Sequence, residues 1–284
     1  MIAVTGASGH LGRLVIKALL ERTAASEIVA LVRNPDAVSD LAAAGVTVRK
    51  ADYDQPESYS AALKGVDKLL LISGNAVGQR VPQHTVVIEA AKANDVKFIA
   101  YTSLLKADKS PMILASEHVA TEALLKKSGI PHALLRNGWY NENFTENLAP
   151  VLATGAVIGS SADGRVASAS RADYAQAAAV VLTAPIEAQA GKIHELAGDE
   201  AYDMNAYADK VAKASGKQIA YVDMSKEDYV NALTGAGIPE GFAQVLGDSS
   251  ENVKGGWLED SSGALAALIG RPTTPIAKSI EAAL

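Results

Sequence analysis

Two hydrophobic periods alternate through the first half of the chain, and nothing else in the sequence restricts the fold as much. The runs MIAVT, EIVALVR, VTVRK, KLLLIS, KFIAYTS and HALLR are short and rich in Val, Ile and Leu, as strands buried on both faces require. Between them, HLGRLVIKALLER, PDAVSDLAAAG, PESYSAALKG, VPQHTVVIEAAKAN and SEHVATEALLKKSG place apolar residues at helical spacing. Several of these open near a proline and close near a glycine, the asymmetry of helix termini. Strands separated by helices build βαβ units, so the expected fold is α/β, a Rossmann-type doubly wound parallel sheet.

After about Asn141 the rhythm loosens. RADYAQAAAVVLTAP reads as a helix and GKIHELAG as a strand, while MNAYADKVAKASG and SKEDYVNALTGAG read as short helices with no regular strands between them. The expected division is a Rossmann domain over residues 1–150, to which residues near 165–197 return, and a smaller, mostly helical substrate-binding part over 151–284. The chain has 284 residues, 49% of them apolar and 20% charged, an ordinary core-forming composition. A net charge of −6 gives no reason to expect nucleic acid or an acidic membrane as partner. With no cysteine, disulfides, thiol nucleophiles and thiolate metal sites are excluded. No apolar run approaches the roughly 20 residues of a membrane span. The first strand starts at Met1 or Ile2, so no leader segment is expected and a cytoplasmic location is.

Where the first strand meets the first helix, AVTGASGHLG sets Gly6, Gly9 and Gly12 three residues apart. A dinucleotide site needs glycine there for a tight turn, for close approach of backbone to pyrophosphate and for helix–strand packing. The helix N-terminus adds free amides and a partial positive charge. The spacing is G-x-x-G-x-x-G, and a turn can need glycine for its own sake. The strand before, the helix after and five further βα units weigh toward a nucleotide site. The second run ends in LVRNP, which puts Arg33 where an NAD site usually carries a carboxylate. A guanidinium there pairs with the 2′-phosphate of NADP(H); the alternative is a surface arginine at a strand end. Lys50, near the end of the third strand, adds positive charge.

These stretches, together with KLLLISG, VGQRVPQH, VKFIAYTSLL, LLRNGWYNEN, ASRADYA and LIGRPTTP, make the chain resemble the NmrA-like branch of the atypical short-chain dehydrogenases/reductases. Within that branch it is most similar to the bacterial type 2 NAD(P)H:quinone oxidoreductases, with triphenylmethane dye reductases as near relatives. The resemblance runs over nearly the whole chain; YTSLL and RNGWYNEN are its more specific parts. It implies a Rossmann domain, a small C-terminal domain, a substrate cleft between the two, and NADP(H) across the C-terminal ends of the strands. By position, Gly6, Ser8, Gly9, His10, Leu11 and Gly12 would face the phosphates and Arg33 the 2′-phosphate. Asp52 and Tyr53 would border the adenine. Ser73, Gly74, Thr102, Ser103, Asn137 and Gly138 would approach the ribose and nicotinamide.

Most short-chain dehydrogenases use a Tyr-x-x-x-Lys pair, and no tyrosine here has lysine four residues on. Several NmrA-like reductases carry a lysine in the helix SEHVATEALL, where this chain has His118. A quinone needs little acid catalysis, because hydride addition yields an aromatic hydroquinone anion. Catalysis can then rest on proximity between cofactor and flat acceptor. Trp139, Tyr140, Asn143 and Phe144 are candidates for an acceptor wall; the aromatics among them serve equally as core at a domain junction. His118 is a candidate proton donor or orienting group, or a solvated helix histidine. The remaining histidines show no metal spacing, no metal is expected, and no G-x-S-x-G elbow is present. The expected function is therefore NADPH-dependent reduction of quinones, or similar flat acceptors, without flavin. A non-catalytic NAD(P) redox sensor that binds a protein partner is the competing expectation.

Overall fold

The structure is a computed structural model that describes residues 1–146 and 148–284. In chain order its elements are β1 (Ile2–Val4), α1 (His10–Leu20), β2 (Ile28–Val32), α2 (Ser39–Ala43), β3 (Thr47–Lys50), α3 (Pro56–Ala62), β4 (Lys68–Leu71), α4 (Arg80–Ala93), β5 (Phe98–Leu104), α5 (Ile113–Ser128) and β6 (His132–Asn137). They continue with α6 (Glu142–Thr145), α7 (Leu148–Thr154), β7 (Ala156–Gly159), α8 (Arg171–Thr183), α9 (Ile186–Gln189), β8 (Ile193–Leu196), α10 (Met204–Ser215), β9 (Ala220–Asp223), α11 (Lys226–Gly235), α12 (Glu240–Asn252), α13 (Ala264–Ile269) and α14 (Ile276–Ala283). Contacts gather these into two compact units. The first is residues 1–104, 117–137 and 171–194; the second is residues 105–116, 138–170 and 195–284. The chain leaves the first unit briefly after Leu104 and returns at Glu117; it leaves again after Asn137, earlier than the change expected near residue 150, and returns at Arg171.

The first unit carries a seven-stranded sheet in the order β3-β2-β1-β4-β5-β6-β8. β1 pairs in parallel with β2 on one side (Ile2↔Ile28) and with β4 on the other (Ile2↔Lys68). Strand order thus reverses at β1, and the C-terminal ends of β1 and β4 border the crevice where open α/β sheets bind ligands. One sheet face packs against α3, α4 and α5. Ala3, Val29, Leu31, Leu69, Leu71, Ile99 and Tyr101 meet Tyr59, Leu63, Val87, Ile88 and Leu125 there. These strand residues are two apart, as the strand period demands.

α1 packs on α8, where Ala175, Ala177, Ala178 and Ala179 are buried and small enough for close approach. The carbonyls at the end of α8 are satisfied from the sheet. Lys68 Nζ donates to the Leu182 carbonyl at 2.9 Å and the Ala184 carbonyl at 2.6 Å.

In the second unit, β7 and β9 form a two-stranded parallel sheet with register Ala156↔Ala220 to Gly159↔Asp223. Here the structure corrects the sequence reading, which placed no regular strand among the C-terminal helices. β9 is mostly solvent-exposed, so it lacks the apolar run that marks a buried strand. A buried polar network sits in the same unit. Ser168 Oγ donates to Asn141 Oδ1 at 2.6 Å and lies 2.5 Å from the Tyr202 hydroxyl. Asn141 Nδ2 donates to the Thr274 carbonyl and to Ser279 Oγ, both at 2.9 Å.

Candidate functional site

The glycine turn follows β1 directly. Gly6 adopts φ +58°, a left-handed conformation that favours glycine. The Gly9 amide donates to the Gly6 carbonyl at 2.9 Å, closing the turn. A Cβ on Gly12 would come within 2.3 Å of that carbonyl oxygen, so the first turn of α1 rests on the loop only because Gly12 has no side chain. Gly9 stands at the N-cap of α1 with no side-chain cap, and Ser8, Gly9 and His10 are exposed while Leu11 is buried. Arg13 braces the loop from α1: its guanidinium donates to the Ser8 carbonyl at 3.3 Å, the Ala37 carbonyl at 2.7 Å and Asp40 Oδ2 at 2.8 Å. That guanidinium holds the Asp40 carboxyl below its ordinary range. An uncapped, exposed helix N-terminus beside this turn fits a dinucleotide phosphate.

Arg33 is exposed just past the end of β2. Beyond β3, Asp52 and Tyr53 are half-buried. The Asp52 amide donates to Ser58 Oγ at 2.8 Å, and its Oδ1 accepts from the Asp54 amide at 3.2 Å, so its side chain also shapes the loop locally. The Tyr53 ring stacks on buried Tyr59 with centroids 5.3 Å apart. Burial raises both phenols above their ordinary range, and the nearby Arg33 charge opposes that rise.

The ends of β4, β5 and β6 collect Ser73, Gly74, Thr102, Ser103 and Asn137 in the first unit. The Ser73 amide donates to Thr102 Oγ1 at 2.8 Å, which ties the ends of β4 and β5 together. Ser103 points the other way. Its hydroxyl donates to Glu122 Oε1 at 2.6 Å, beside the Glu122–Arg136 ion pair, in which Arg136 Nη2 lies 2.7 Å from Oε2 and Nε 2.9 Å from Oε1. Asn137 is 5% exposed, and its Oδ1 is buried with no hydrogen-bond partner among the described residues.

His118 sits in the α5 layer, 5% exposed, with Nδ1 2.8 Å from the hydroxyl of fully buried Tyr101. Burial, followed by the Arg80 charge, pushes its pKa down to about 3, so the ring is neutral. The solvated-histidine alternative is thereby corrected: one face of α5 packs against the sheet, and His118 is on it.

The remaining candidates belong to the second unit. The Gly138 amide donates to the Leu196 carbonyl at 2.7 Å. Trp139 and Tyr140 are half-buried, and the Trp139 carbonyl accepts from the Ala169 amide at 3.2 Å. Asn143 is exposed. Phe144 packs on Tyr207 at 5.3 Å and Tyr202 at 6.2 Å between ring centroids, an aromatic cluster of the kind the core alternative describes.

Sequence reasoning missed the polar side chains behind the sheet edge: Arg80, His84, Glu117 and Thr121. The only signal was the Arg80–His84 spacing of four residues in RVPQH, which sets both on one side of a helix. Among the described residues no group of three or more His, Cys, Asp or Glu could hold a metal ion.

The chain matches the NmrA-like family over residues 1–262. It is 51% identical to Quinone oxidoreductase 2 of Escherichia coli (strain K12), over 99% of this chain and 98% of that protein. A crystal structure of the NADPH-dependent quinone oxidoreductase of Escherichia coli in complex with NADPH superposes with a TM-score of 0.96 at 51% identity, covering 99% of both chains. The Citrobacter sp. triphenylmethane reductase complexed with NADP(H) superposes with a TM-score of 0.95 at 39% identity, covering 100% of both chains.

Proposed function

The chain belongs to the NmrA-like family, and from that premise we propose that it is an NADPH-dependent quinone reductase working by direct hydride transfer without flavin. The observation that carries this reading is the 51% identity to Quinone oxidoreductase 2 spread over 99% of the chain. NADPH supplies the hydride. The chain's own residues bind and orient. Amides of the turn Gly6–Gly12, including those of Ser8, Gly9, His10 and Leu11, take the pyrophosphate at the uncapped start of α1. Arg33 pairs with the 2′-phosphate, and Asp52 and Tyr53 border the adenine. Ser73, Gly74 and Thr102 line the way to the nicotinamide, whereas the Ser103 hydroxyl is turned to Glu122. The orphan Oδ1 of Asn137 is a buried acceptor suited to an amide donor there.

For the acceptor, Trp139 and Tyr140 offer flat aromatic faces on which a quinone ring stacks, flanked by Asn143 and Phe144. A quinone that gains a hydride becomes an aromatic anion, and solvent supplies its proton. No side-chain acid is then required, in keeping with the missing Tyr-x-x-x-Lys pair and with a His118 that is buried and neutral. The substrate is a small molecule. No helix of the described residues is long and apolar enough to cross a membrane, and we place the enzyme in the cytoplasm.

The test is steady-state oxidation of NADPH against a panel of quinones. Turnover with quinone is expected, and His118→Asn, which keeps an acceptor for Tyr101, should retain it within about tenfold, since a general acid is worth about 10²–10⁴-fold. Tight NADPH binding with no turnover on any quinone would overturn the enzymatic reading.

A further inference from the structure

The peptide polar groups of Gly74, three residues past the end of β4, are both held by side chains of α4. Its amide donates to His84 Nε2 at 3.3 Å, and its carbonyl accepts from Arg80 Nε at 2.6 Å. Arg80 opens α4 and His84 stands one turn later, so both reach the same loop. Each is fixed in turn by α5. Thr121 Oγ1 gives its proton to the Glu117 carbonyl at 2.9 Å, so it accepts from His84 Nδ1 at 2.9 Å and leaves Nε2 as the acceptor. Glu117 Oε1 accepts from the amides of Gly78 at 3.0 Å and Arg80 at 3.2 Å, and Oε2 lies 3.9 Å from Arg80 Nη1. His84 is fully buried and Arg80 is 9% exposed. Burying polar groups is costly unless they are matched, and here the hydrogen bonds of His84 Nε2 and Arg80 Nε converge on the backbone of Gly74, past the C-terminal end of β4.

We propose that His84 and Arg80, oriented by Thr121 and Glu117, are positioning residues that fix the two peptide planes on either side of Gly74 for the nicotinamide half of NADPH. The proposal rests on the reading that the cofactor lies along the C-terminal ends of the strands. The Gly74 N–H belongs to the Ser73–Gly74 peptide and its C=O to the Gly74–Asn75 peptide. With one group of each plane gripped, rotation of both planes about Gly74 is restrained, so the surface the loop turns toward a ligand is set before binding. That lowers the ordering cost of binding. Neither side chain needs to touch the cofactor; both act through Gly74.

The test uses the full chain. His84→Leu fills the space but removes the acceptor, whereas His84→Gln returns an amide oxygen near the position of Nε2. Kd for NADPH is read by fluorescence titration, and KM for NADPH and kcat with quinone saturating. His84→Leu should raise Kd and KM about three- to tenfold, the loss of one neutral hydrogen bond, with a smaller change in kcat, and His84→Gln should recover most of it. A folded His84→Leu protein with a lower Tm and unchanged Kd would show that the ring only packs, and would overturn the proposal. Gly9→Val separates this from the underlying reading. If Gly9→Val loses NADPH while His84→Leu does not, positioning alone fails. If both keep wild-type affinity, the strand-edge cofactor site itself fails. Should His84→Leu not fold, Arg80→Lys, which keeps the charge but loses the Nε donor, takes its place. A raised Kd for NADPH then supports positioning through Gly74, and an unchanged Kd overturns it.

Discussion

We propose that cofactor choice turns on Arg33. It is exposed past the end of β2, where a carboxylate would repel a 2′-phosphate and a guanidinium attracts it. Arg33→Ala is expected to weaken NADPH binding about 10–100-fold, the worth of a charge-assisted contact, and to leave NADH nearly unchanged. Equal weakening of both cofactors, read as Kd by titration, would make Arg33 a structural residue instead. The place of Arg33 just past the end of β2 was legible, because periodicity reveals where a strand stops. His118 was legible only as a residue type. Its burial against Tyr101 comes from the packing of α5 on β5, and a histidine on a helix says nothing by itself about which face is covered.

At the scale of the element, the β1–turn–α1 unit stands on glycine chemistry. The left-handed φ of Gly6 and the missing side chain of Gly12 together let α1 start against the loop, and a methyl at Gly12 would sit 2.3 Å from the Gly6 carbonyl oxygen, so backbone would have to shift. Gly12→Ala should therefore shift α1, cost about 1–3 kcal/mol in urea unfolding and weaken NADPH at the same time. A variant with native stability and affinity would mean that the loop relaxes freely. Strands β1 to β6 and the helices between them follow the period of their apolar residues closely; β2, β4, β5 and β6 are largely buried, whereas the edge strand β3 is only half-buried and ends exposed. β9 was missed for the opposite reason. Ala220–Asp223 is mostly exposed, and its pairing with β7 is set by a partner more than 60 residues away in the chain.

For the whole molecule, two buried histidines tie stability to pH. Burial, then the Arg80 charge, lowers His84 to about 4 and His118 to about 3, against about 6.5 in an unfolded chain. Between those values the unfolded chain binds more protons than the folded one, so stability falls as pH falls below about 6.5. Each ring contributes a slope of up to about 1.4 kcal/mol per pH unit. Urea midpoints measured from pH 7.5 to 5 should drop, and His118→Asn should flatten the curve; a midpoint independent of pH would mean that both rings protonate inside the fold. What the sequence determined by itself was the alternation of βα units, the doubly wound sheet and the glycine turn at β1. These follow from local propensity, apolar period and the backbone freedom of single glycines, all written in consecutive residues. What only the tertiary structure decided was which polar groups meet: Ser73 with Thr102, Gly74 with His84 and Arg80, Glu122 with Ser103 and Arg136, Ser168 with Asn141 and Tyr202. A buried polar atom must be satisfied by whatever the fold brings within about 3 Å, and that neighbour can come from any part of the chain.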